Sequence, residues 1–121
     1  MTCILIVDDS PTETHIIKAM LEKHGFEVLE AVNGEEGIIK ARETSPDLVL
    51  MDIVMPGMNG FQATRKLSKD PITSSIPIII VSTKGQETDR VWAMRQGAKD
   101  YMTKPVSEIE LMDKIKSSLG G

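Results

Sequence analysis

Cys3-Ile-Leu-Ile-Val-Asp-Asp-Ser-Pro-Thr-Glu13 is the stretch that decides the fold. Its first five residues are a continuous apolar run rich in β-branched side chains, the pattern of a strand covered on both faces. Two acids end the run. Ser10, Pro11 and Glu13 then read as a helix start, with serine as N-cap, proline at the first helical position and glutamate at N3 predicting a capping box. Ile16, Ile17, Met20 and Leu21 supply the expected buried stripe of that helix.

The same alternation continues outward. Gly25 stops the helix, Phe26 to Ala31 is a second strand, and a further helix runs from about Gly34 until Ser45-Pro46 ends it. Asp47-Leu-Val-Leu-Met51 is strand three, ending at Asp52. The Pro56-Gly57 turn leads through Asn59-Gly60 into a helix from about Phe61 to Lys69. Ile76 to Val81 is strand four, ending at Ser82-Thr83, and a helix near Glu87 to Gln96 stops at Gly97. Asp100 to Thr103 is a short fifth strand ending at Lys104-Pro105. Ser107 and Glu110 predict a second capping box for a last helix carrying Leu111, Met112, Ile115 and Leu119. Five strands alternating with five helices predict a three-layer α/β sandwich with a parallel sheet and right-handed crossovers.

Composition narrows the function. With 121 residues the chain is expected to be one domain, 1–121, large enough to bury a core without disulfides. Fourteen Lys and Arg against 18 Asp and Glu give a formal charge of −4, which argues against an electrostatic grip on nucleic acid or acidic membranes. Cys3 is the single cysteine, so a disulfide framework and a multi-cysteine zinc site are excluded, and it reads as a small hydrophobe at a strand start. The longest apolar runs, such as Cys3 to Val7 and Pro77 to Val81, are too short to span a bilayer, and no secretory leader is expected, since the start lacks a basic stretch followed by a long apolar region. A cytoplasmic monomer is the expectation.

In open parallel sheets, ligands bind beyond the carboxyl ends of the strands. The residues that end the predicted strands are Asp8 and Asp9, Asp52, Ser82 and Lys104, so all converge on one edge. An isolated aspartate at a strand end is more often a turn former or N-cap than a ligand. Three together would repel each other unless a cation sat among them, and hard oxygen donors without His or Cys suit Mg²⁺. A lysine and a hydroxyl beside such a site complete the parts for holding a phosphoryl group. Neither G-x-G-x-x-G nor G-x-x-x-x-G-K-[ST] occurs, so nucleotide binding is not expected. His15 and His24 have no metal-ligand spacing, and His24 suits a helix C-terminus. Helical phase leaves Trp92 open between core and partner surface.

Asp8-Asp9-Ser10, Met51-Asp-Ile-Val-Met-Pro-Gly-Met-Asn-Gly60, Ser82-Thr83 and Lys104-Pro105, taken together in order and spacing, resemble the receiver domains of two-component response regulators over essentially the whole chain. Val7 to Glu13, Asn59 to Arg65 and Gln96 to Pro105 look like the PilH-type regulators of twitching motility within that family. The resemblance implies a flavodoxin-like sheet of order 2-1-3-4-5, which places strands one and three side by side at the switch point.

Residue by residue, the resemblance implies that Asp52 is phosphorylated by a sensor histidine kinase or its phosphotransfer domain, with Mg²⁺ as cofactor. Asp9 and Asp52 would ligate the metal directly, Asp8 through water and Val54 through its carbonyl. Ser82 and Lys104 would hold the phosphoryl oxygens. Ser82 and Tyr101 would form the switch, Tyr101 turning inward as Ser82 moves. Val54 and Lys84 would flank the water that ends the signal and so tune its lifetime. A downstream protein would bind the face of helix four, strand five and helix five.

Two rival readings stand beside a stand-alone signalling switch without an output domain. A haloacid-dehalogenase-type phosphatase also forms an aspartyl phosphate but carries D-x-D, and the second acid is here Val54. A receiver fragment of a DNA-binding regulator would look the same apart from a second, basic domain, and only Leu119-Gly-Gly121 follows the last helix.

Overall fold

Successive residues of a strand face opposite sides of its sheet, and the apolar runs here are long enough to fill both. The computed structural model describes residues 1–120. Its elements are β1 (Cys3–Val7), α1 (Pro11–Lys23), β2 (Glu27–Ala31), α2 (Gly34–Thr44), β3 (Leu48–Met51), α3 (Gly60–Lys69), β4 (Ile78–Ser82), α4 (Glu87–Arg95), β5 (Asp100–Thr103) and α5 (Glu108–Ser118). The strands form one parallel sheet in the order β2-β1-β3-β4-β5, the predicted class and order. Leu5, Val7, Val49, Met51, Ile78 and Ile80 point to one side, where Ala41 of α2, Ala63 and Leu67 of α3 and Ala93 of α4 cover them. Ile4, Ile6, Leu48, Leu50, Ile79 and Val81 point to the other, against Ile17 and Leu21 of α1 and Leu111 and Ile115 of α5. No described helix is long and apolar enough to cross a membrane.

Several local expectations are corrected. Ile16 is 43% exposed, because α1 meets the sheet through Thr14, Ile17 and Leu21, spaced three and four apart, and Ile16 lies about 100° round the helix from Ile17. Leu119 is 38% exposed at the C-cap of α5, beyond the last turn that faces the sheet. Both predicted capping boxes are half made: Ser10 accepts from the Glu13 N–H at 3.3 Å and Ser107 from the Glu110 N–H at 3.4 Å, without the reciprocal bond. A complete box forms at α3, where Asn59 and Gln62 exchange bonds of 2.9 and 3.0 Å. β4 begins at Ile78, two residues later than expected, after Pro77, whose nitrogen has no hydrogen to donate. Trp92 is 49% exposed on α4, which places it at the surface. His24 is the C-cap of α1, and its ring and Lys23 both meet Glu108 of α5, at 2.9 and 3.1 Å.

Candidate metal and phosphoryl site

Val7 of β1 pairs with Met51 of β3, so the residues that follow, Asp8 and Asp52, leave the sheet side by side. Each backbone N–H is still held by the neighbouring strand, Asp52 to the Val7 carbonyl at 2.9 Å and Asp8 to the Ala31 carbonyl at 3.0 Å. This fixes where the two carboxylates start. Asp8 and Asp52 are 3% and 8% exposed, while Asp9 faces solvent. One oxygen from each of the three lies within 4.8 Å of the other two.

Lys104 follows β5, three strands from β1, and its backbone N–H donates to the Ser82 carbonyl at 2.8 Å. From there its side chain reaches across the edge, with Nζ 2.8 Å from Asp8 Oδ2 and 3.8 Å from Asp52 Oδ1. The other Asp8 oxygen accepts from the Ser10 N–H at 2.8 Å. Asp8 therefore takes the donor that a Glu13 capping box would have used, and the same bond orients its carboxylate toward Lys104.

Burial, then the Asp8 charge, push the Asp52 carboxyl up to about 6; Asp9 adds to the rise, and Lys104 and the Ile53 N–H oppose it. The Lys104 ammonium is also raised: burial works against its charge but is outweighed by the Asp8 hydrogen bond and the charges of Asp52 and Asp8. Three carboxylates with one lysine leave an excess of negative charge. An all-oxygen donor set without His or Cys fits a hard divalent cation such as Mg²⁺. Asp8 and Asp9 also border a recess of about 110 Å³ beside β2, far below the usual volume of a small-molecule pocket.

Residues 4–116 match the response regulator receiver domain family. The chain belongs to it. It is 64% identical to protein PilH of Pseudomonas aeruginosa over 121 residues, all of both chains. It is 40% identical to the phosphate regulon transcriptional regulatory protein PhoB of the same species over 116 residues, which is 96% of this chain and 51% of PhoB. Among solved structures, the receiver domain of a Pseudomonas aeruginosa sensor histidine kinase, with a magnesium ion coordinated in its active site cleft, superposes with a TM-score of 0.91 at 29% identity, covering 99% of this chain and 98% of that one.

The receiver brings Asp8, Asp9, Asp52 and Lys104 into one cluster. Ser82 (1% exposed) and Tyr101 (3%) lie on the two neighbouring strands and are joined through one residue of the β4–α4 loop. Ser82 Oγ accepts from the Lys84 N–H at 3.2 Å, and the Tyr101 hydroxyl donates to the Lys84 carbonyl. The Tyr101 ring is thus already turned inward. Val54, 58% exposed, lies on the β3–α3 loop two residues after Asp52, and the exposed Lys84 lies on the β4–α4 loop.

Sequence reasoning gave no role to Gly60. A Cβ there would stand 1.9 Å from the Asp52 carbonyl oxygen, and its N–H donates to the Ile53 carbonyl at 2.8 Å, so α3 begins directly against the backbone of the site. Asn59-Gly60 was legible as a turn, but not as a close approach. Arg90 was missed altogether. Its guanidinium lies 4.9 Å over the Tyr101 ring and donates to Thr103 Oγ1 at 3.1 Å.

Proposed function

We propose that this receiver is phosphorylated on Asp52 by a histidine kinase or its phosphotransfer domain and signals by protein contact in the cytoplasm. The observation that carries this reading is the meeting of three carboxylates within 4.8 Å, with Lys104 reaching two of them. In the reaction, an Asp52 carboxylate oxygen attacks the phosphorus of a phosphohistidine. The P–N bond breaks, its electron pair returns to the imidazole, which takes up a proton, and an acyl phosphate remains on Asp52. Asp8, Asp9, Asp52 and the Val54 carbonyl are the groups that would hold Mg²⁺, which when bound neutralises charge on the phosphoryl oxygens as a Lewis acid. Lys104, drawn from its contacts with Asp8 and Asp52, and Ser82, through its hydroxyl, hold those oxygens.

The residue two places after the nucleophile separates a switch from a phosphatase. Val54 has no proton to give or take, so no side chain at that position activates water against the acyl phosphate, and the modification persists as a signal. Ser82 turning toward the phosphoryl group gives up the Lys84 N–H, and Tyr101 carries the change to the face of α4, β5 and α5, where a downstream protein binds. Identity of 64% to PilH over the whole of both chains supports a place in type IV pilus twitching motility or chemotaxis. On this reading the protein acts as a monomer.

Phosphotransfer profiling against the host's histidine kinases and phosphotransfer domains tests the reading. One donor is expected to label the wild type rapidly in Mg²⁺ and to leave Asp52→Asn unlabelled. Equal labelling of the two proteins, or no transfer from any donor, would overturn it.

A further inference from the structure

Arg90 is a cation without a carboxylate partner among the described residues, and it lies between α4 and β5 rather than out in solvent. Tyr101 and Thr103 alternate along β5 and so present their side chains to the same face of the sheet. Arg90 engages both, stacking its guanidinium over the ring at 4.9 Å and donating to the threonine hydroxyl at 3.1 Å. The hydrogen bond anchors the guanidinium where its charge lies over the ring. The Tyr101 hydroxyl is tied to the Lys84 carbonyl. Gly85 packs close to the same threonine: a Cβ there would stand 3.2 Å from Thr103 Cγ2.

We infer that Arg90 is a positioning residue that clamps Tyr101 in its inward rotamer before any phosphoryl group arrives. The inference rests on Tyr101 being the switch residue. It adds that the resting state of this receiver is already biased toward the signalling arrangement, and that the bias resides in α4, away from the acids. Phosphorylation then acts mainly through Ser82 and the β4–α4 loop, on a ring that is already in place.

Tyr101 is the only tyrosine, so 3-fluorotyrosine gives one ¹⁹F resonance that reports this ring alone. The experiment records it in the full chain for wild type, Arg90→Met and Thr103→Val, each with and without Mg²⁺ and beryllofluoride. Wild type is expected to show a predominantly inward, solvent-protected ring at rest. Arg90→Met is expected to raise the outward-to-inward ratio about fivefold, the loss of a cation–π contact of ordinary strength. Thr103→Val, which only frees the guanidinium, should shift the ratio the same way by less. Beryllofluoride should return the ring inward in both variants. Circular dichroism and the Trp92 emission check that each variant is folded. A resting resonance in Arg90→Met and Thr103→Val that matches wild type would overturn the role given to Arg90. The Lys84 amide, bonded to Ser82 Oγ, separates this from failure of the switch reading. If that amide responds to beryllofluoride while the ring ignores Arg90, only the clamp is wrong. If neither amide nor ring responds in any of the three proteins, the switch reading falls and the clamp with it.

Discussion

Asp52 combines low exposure with a like charge next to it, and either alone would resist ionisation. Its folded-state value of about 6 lies above the ordinary 3.8, so its contribution to stability is fully present below pH 4 and is lost as pH rises through 6. At neutral pH without metal, the ionised group is a liability. Asp52→Asn keeps the shape and can keep the Ile53 N–H bond while removing the charge. It is therefore expected to be more stable than wild type by about 1 to 3 kcal/mol in metal-free buffer at pH 7, with the gain disappearing toward pH 4. Urea denaturation at several pH values measures this, and a variant less stable at pH 7 contradicts it. Asp8, Asp9, Asp52, Ser82 and Lys104 were legible in the sequence because each ends a predicted strand, and strand ends in a parallel sheet share one edge. What Asp8 does with its second oxygen was not legible. A serine followed three residues later by glutamate predicts a capping box, and only the folded turn shows that the Ser10 N–H points at Asp8 instead. Arg90 escaped for a similar reason, since a charge on a helix gives no sign of which strand residue lies beneath it.

The elements differ in how well they could be read. β1, β3 and β4 are apolar on both faces, and their runs located them to within one or two residues. α1 was placed correctly, but its buried stripe was drawn too wide, because Ile16 is as apolar as Ile17 and only contact with the sheet distinguishes them. The β3–α3 loop holds a position that element boundaries do not single out. Val54 stands 58% exposed two residues after Asp52, and on the proposed reading water would approach the acyl phosphate beside it. A carboxylate placed there could act as a base, so Val54→Glu is expected to speed dephosphorylation, up to about a hundredfold, the low end of what a positioned general base supplies. Phosphorylation itself should survive the change. Decay of labelled protein after removal of the donor gives the rate, and superimposable curves for the two proteins would remove Val54 from the lifetime-setting position.

At the scale of the molecule, the sheet order holds the three acids together against their own repulsion, and a ligand that relieves the repulsion stabilises the whole fold by mass action. Mg²⁺ at a hundredfold above its dissociation constant is expected to raise wild-type stability by about 2.7 kcal/mol. The gain should be smaller in Asp52→Asn, which has lost one of three carboxylates; equal gains would mean that the cation binds elsewhere. The sequence showed the fold class through strict alternation of strands and helices. It reached the order 2-1-3-4-5 only through likeness to other receivers, because nothing in an apolar run says which strand it pairs with. The central claim is that this order makes Asp52 the one acceptor of a phosphoryl group. Peptide mapping by mass spectrometry after incubation with acetyl phosphate and Mg²⁺ tests it most directly. The account predicts a single hydroxylamine-labile phosphoryl group, on the peptide containing Asp52 and absent from Asp52→Asn; undiminished hydroxylamine-resistant label in that variant, or label centred on another residue, would contradict it.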